Sequence, residues 1–150
     1  MEYTDDKTKN FATLSLVSVV ITGIVIAIHH LLEIGIEPFI GLLILLVFLP
    51  VVLMWYYQKK KNKYVYYIYI IIDLWILIGF GIFHGFFVHT VKILGFYLIE
   101  PLAELHGGRI FTQTGSINSV LDFSGFLIFL MSLVSAYYLN KFIQGEKSDE

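Results

Sequence analysis

Cysteine is absent from the chain. That excludes disulfides, iron–sulfur clusters, thiolate zinc sites and cysteine nucleophiles. Charge is scarce too: acidic and basic residues make up 15% of 150 residues, where a soluble domain carries roughly 25%. Net charge is −2, and the one basic run is short, Lys59–Lys63. A nucleic-acid binder needs a basic face and a disordered tail needs charge, so both are excluded. Only three prolines interrupt the chain.

What is abundant is apolar surface. Hydrophobic residues make up 57% of the sequence and aromatic residues 17%. A water-soluble globule of this size could not hide that much, which rules out a soluble enzyme. The remaining class is an all-α integral membrane protein.

A membrane helix needs about 20 apolar residues to cross roughly 30 Å of hydrocarbon. Four stretches qualify, at about 11–32, 39–57, 64–91 and 119–139, and they leave no room for a second domain; residues 1–150 read as a single membrane domain. The first is longer than a signal-peptide core and no small-residue cleavage site follows it, so it is expected to persist as a helix. Residues 93–105 are too few to span and are broken by Pro101. They read as a short interfacial or re-entrant helix leading into a loop marked by Gly107, Gly108 and Gly115.

Orientation follows from the loop cations. Lys7, Lys9, Lys59, Lys60, Lys61, Lys63, Lys141 and Lys147 fall on one side of a four-span bundle, against Lys92 and Arg109 on the other. The positive-inside rule then puts both termini in the cytoplasm of a multi-pass plasma or equivalent membrane. Trp55, Tyr56, Tyr57, Tyr64, Tyr66 and Tyr67 flank the lysine run, where amphipathic rings favour the headgroup level. The run reads as a topology anchor before a lipid- or partner-binding patch.

Small residues mark helix contacts in lipid. Gly81 and Gly85 with Gly79 nearby, and the stripe Asp122, Gly125, Ser132, Ala136, read as packing faces. Pro50, inside the second span, predicts a kink near the carbonyl four residues back.

All five histidines, His29, His30, His84, His89 and His106, map to the extracytoplasmic half, together with Glu33, Glu37, Glu100, Glu104 and Asp122. Ionisable groups at that depth face the bundle interior or a water-filled cavity. Ser15, Ser18, Thr22, His29 and Glu33 share one face of the first span. His84 stands about a turn and a half inside the outer boundary, on nearly the same face as Asp73 eleven residues earlier. On a straight α-helix His89 points well away from His84, so the two do not bind one ion.

A site of His29, Glu33, His84 and Asp122, closed by Glu37, is therefore expected to bind a metal ion or other cation. Imidazoles with carboxylates suit zinc, iron, manganese or copper. Haem fits less well, since His29 and His84 differ by about 5 Å in depth by helix rise. His89, Lys92, Glu100, Glu104 and His106 read as the mouth, with Lys92 snorkelling to the outer headgroups rather than pairing with Glu100 or a lipid phosphate. Asp73, deeper in, reads as a proton or cation way-station or as a clasp to Ser15, Ser18 and Thr22. No catalytic residue is assignable. Two alternatives stand beside a binding module: a non-catalytic packing subunit of a larger membrane complex or homo-oligomer, and a lipid-modifying enzyme or small proton- or cation-coupled carrier. The partners implied are the bilayer and further membrane chains, and no nucleic acid.

Overall fold

The computed structural model describes residues 2–95 and 119–148. Among them there is no strand. The elements are α1 (Glu2–Ile34), α2 (Ile36–Leu43), a π-helical segment π1 (Ile44–Phe48), α3 (Leu49–Lys60), α4 (Lys63–Trp75), a second π-helical segment π2 (Ile76–Thr90), α5 (Val91–Leu94) and α6 (Ser119–Ser148). The elements α2, π1 and α3 run on without a break, as do α4, π2 and α5. Four helices long and apolar enough to cross a membrane result, Lys7–Ile34, Ile36–Lys60, Lys63–Leu94 and Val120–Ser148. The interfacial helix expected over 93–105 lies almost wholly outside the described residues, as do Glu100, Glu104 and His106.

The turns are set locally. Gly35 joins α1 to α2 at φ 95°, a region that L side chains avoid. At the lysine hairpin Lys61 takes a left-handed conformation and its N–H donates to the Tyr57 carbonyl at 2.7 Å. Asn62 then caps α4, its Oδ1 accepting from the N–H groups of Tyr64 and Val65 at 2.9 and 3.3 Å. This satisfies two of the orphan donors that every helix start leaves.

Helix α1 is central, packed along α6 and against α2, π1 and α3, while π2 packs on α6. Backbones approach closely where side chains are small. A Cβ on Gly23 would meet the Leu46 carbonyl oxygen at 2.6 Å. That carbonyl is the one Pro50, lacking an N–H, cannot bond. The irregularity expected at Pro50 is met by π1 just upstream of it, and the Leu46 carbonyl packs on a bare Cα. A Cβ on Gly85 would lie 2.8 Å from both the Gly125 carbonyl oxygen and the Phe129 nitrogen, so no side chain fits between π2 and α6. The outward faces are apolar: Phe48, Ile71 and Phe83 are each more than 60% exposed.

Polar groups are turned inward. Ser15, Ser18, Thr22 and His29 on α1 are buried, as are Asp73, Ser132 and Ser135. The clasp expected between Asp73 and the α1 hydroxyls does not form. Ser18 and Thr22 donate instead to carbonyls of their own helix, those of Ser15 and Ser18, both at 2.8 Å, as short hydroxyls on helices commonly do. Ser15 pairs with the longer Tyr69, Oγ to phenolic oxygen at 2.8 Å. Asp73 is served from α6, where Ser135 Oγ donates to its Oδ1 at 2.9 Å. Its Oδ2 has no hydrogen-bond partner among the described residues.

The bundle has two chemically distinct ends. At one, the lysine hairpin meets the end of α6 through an ion pair, Lys61 Nζ to Glu146 Oε1 at 3.3 Å, while Gly145 sits against Thr8 of α1. At the other, four of the five histidines gather.

Candidate metal centre

Helix α1 delivers His29 and, one turn on, Glu33. Segment π2 delivers His84 and His89. One ligand atom from each of these four residues lies within 4.8 Å of every other, a group that could hold a metal ion. His29 and His89 are buried, and Glu33 is exposed at the bundle end. The separations are tight: His29 Nε2 to His84 Nε2 is 2.9 Å, and His89 Nε2 to His84 Nε2 is 3.3 Å. Glu33 Oε2 stands 3.5 Å from His29 Nε2 and 3.8 Å from His84 Nε2.

His89 joins this group against the expectation for a straight α-helix, and the winding of π2 is the reason. With i→i+5 bonding, residues five apart come nearly above one another, whereas in an α-helix they are far around the cylinder. The same winding shows at Thr90, whose Oγ1 donates to the Gly85 carbonyl five residues back, at 2.8 Å. The sequence carried one signal of it. The polar residues His89 and Thr90 follow His84 and the small Gly85 at a spacing of five, which no α-helical face repeats.

Hydrogen bonds behind the rings hold them in place. Ser124 Oγ donates to the Leu121 carbonyl at 2.9 Å and lies 2.8 Å from His29 Nδ1. Asp122 Oδ1 accepts from the Lys92 ammonium at 3.1 Å and from His89 Nδ1 at 3.0 Å. Both contacts engage Nδ1 and leave Nε2 of His29 and of His89 facing His84 Nε2. Three neutral imidazoles can each offer a Lewis acid a lone pair there, and the spacing suits one. Metal–nitrogen bonds of about 2.0–2.1 Å give nitrogen–nitrogen edges of about 3.3 Å in a tetrahedron and about 2.9 Å for adjacent octahedral ligands.

Asp122, expected as a ligand, sits behind His89 and orients its ring, the carboxylate–histidine arrangement common behind metal-bound imidazoles. Lys92, expected to reach the outer headgroups, donates to that buried carboxylate. Glu37 is exposed at the start of α2 and is not among the converging groups. His30 lies beside the site: its Nδ1 donates to the Ile26 carbonyl at 2.9 Å, and its ring stacks on His84 with centroids 5.0 Å apart. With His29 and His84 nitrogens 2.9 Å apart, no space remains for a haem macrocycle between them. Sequence reasoning missed Ser124, which gave no sign beyond being one more hydroxyl on a helix. The chain matches no family model, no curated protein and no solved structure.

Replacing Asp122 with Asn is expected to weaken metal binding by about 10- to 100-fold, the usual range for a group that orients a ligand. Titration of the purified variant against a competing chelator reads this directly. An unchanged affinity would make Asp122 only a partner of Lys92.

Proposed function

We propose that this is an integral membrane protein that binds one divalent transition-metal ion through His29, Glu33, His84 and His89, near the external surface. Membrane insertion is supported by four long apolar helices whose outward faces carry exposed Ile, Leu and Phe side chains, which water would penalise and acyl chains would not. The lysine hairpin and both chain ends then lie in the cytoplasm by the positive-inside rule, with the histidine end opposite.

One observation supports the metal reading: three Nε2 atoms converge, and Ser124 and Asp122 engage the Nδ1 atoms of two of those rings from behind. Three imidazoles and a carboxylate, with no sulfur, suit zinc, iron, manganese or cupric copper rather than cuprous copper, magnesium or calcium. Glu33, at the exposed edge, is the ligand an exchanging ion would meet first, which suits reversible loading for storage or delivery.

The test is elemental analysis of protein purified without chelator. The wild type is expected to carry about one first-row metal ion per chain, and His29→Ala and His84→Ala close to none. A chelator should also lower the wild-type melting temperature, because an ion held at 1,000 times its Kd stabilises the fold by about 4 kcal/mol. Metal-free wild type with a melting temperature indifferent to both chelator and added zinc would overturn the reading.

A further inference from the structure

The opposite end of the bundle holds a second site of different chemistry. A cavity of about 420 Å³ opens between the end of α3, the start of α4 and the end of α6. Among the described residues, its lining carries Lys61, Lys63 and Lys147 and one acid, Glu146. The floor is apolar, formed by Ile70 and Ile143, with Tyr57 and Tyr67 as walls. Ile70 lies seven residues along α4 from Lys63, about 10 Å deeper by helix rise. This lining suits a ligand that is anionic at one end and apolar at the other.

The surroundings narrow it further. Lys61 Nζ lies 5.0 Å from the Tyr57 ring centroid and 3.3 Å from Glu146 Oε1. The lysine is thereby held at the rim with donors to spare, since an ammonium offers three. Tyr64 and Tyr67 stand exposed on α4, at the level where amphipathic rings meet headgroups. The cytoplasmic leaflet, which this end faces if the chain inserts as proposed, is the one that carries acidic lipid.

We propose that this cavity binds an acidic phospholipid, its phosphate on Lys61, Lys63 and Lys147 and the start of one acyl chain along Ile70 and Ile143. The site rests on the insertion proposed above and is independent of the metal. The lysine run would then hold a specific lipid as well as set the topology.

The experiment is native mass spectrometry of the full chain in a mild nonionic detergent, titrated in parallel with phosphatidylglycerol, with phosphatidylcholine of the same acyl chains, and with inorganic phosphate. Phosphatidylglycerol is expected to be retained on the order of tenfold more than phosphatidylcholine, since each lysine near the surface favours acidic lipid appreciably. The triple variant Lys61→Gln, Lys63→Gln, Lys147→Gln should lose this preference. Lys141→Gln should keep it, because Lys141 lies over Tyr137 and does not line the cavity. All four positions lie on the surface, and every variant is expected in the membrane fraction at wild-type levels, so lost selectivity is distinguishable from lost insertion. Equal retention of the two lipids, or a preference that survives in the triple variant, overturns the proposal. Displacement of the bound lipid by millimolar inorganic phosphate also overturns it, because the cavity would then be a site for free phosphate.

Discussion

His89→Ala should abolish metal loading as completely as His84→Ala, with affinity falling on the order of 100-fold or more, while His30→Ala leaves it nearly unchanged. His30 and His84 are both half-buried, so burial does not separate a ligand from its neighbour. Geometry does. His89 aims Nε2 at the point where His84 and His29 meet, whereas His30 turns Nδ1 back to its own helix and only stacks on His84. The lower bound on the effect comes from groups that merely orient a ligand, whose loss already costs about 10- to 100-fold. Competition against a chelator of known affinity, run on all three variants, gives the ranking. A neutral His89→Ala would mean that the third helix winds as a plain α-helix in solution and that His89 faces elsewhere.

Gly125→Ala should damage the same centre without touching a ligand. A Cβ built on Gly125 would fall inside the His89 ring. The ring cannot retreat easily, because Asp122 holds its Nδ1 and π2 is pressed on α6 at Gly85. The added methyl must therefore move the ring, move α6, or both. Overpacking of this kind costs about 1–3 kcal/mol, and a ring displaced by an ångström no longer reaches the shared point. The expected result is a lower melting temperature together with at least a tenfold loss of metal affinity. Gly41→Ala is the matched control, since nothing lies within 4 Å of a Cβ there, and it should be neutral or slightly stabilising. Should Gly125→Ala load metal like the wild type, the close approach of His89 to α6 would be refuted.

The parts of this organisation that rest on composition and simple periodicity were legible before any coordinates. Four apolar runs of sufficient length predict four long helices. The i,i+4 spacing of His29 and Glu33, on a face shared with Ser15, Ser18 and Thr22, predicts one polar face, which is buried as far as His29 and exposed at Glu33. What was not legible depends on local winding and on competition between polar partners. α-Helical geometry turns His89 away from His84, but the segment that carries both winds differently. The nearness of Lys92 to Asp122, thirty residues later, depends on how α6 docks on π2. The partner of Asp73 depends on docking in the same way. Tyr69, one turn before it, reaches Ser15 first, and the carboxylate is left to Ser135.

The π winding also bears on how the third helix matches its neighbours in length. Lys63–Leu94 contains 32 residues and Ile36–Lys60 only 25. As straight α-helices they would measure about 48 and about 38 Å. Packing more residues into each turn shortens the longer rod, so the third helix ends nearer the level of the second. A bilayer of ordinary hydrophobic thickness can then cover both with less tilt or local deformation than their residue counts imply.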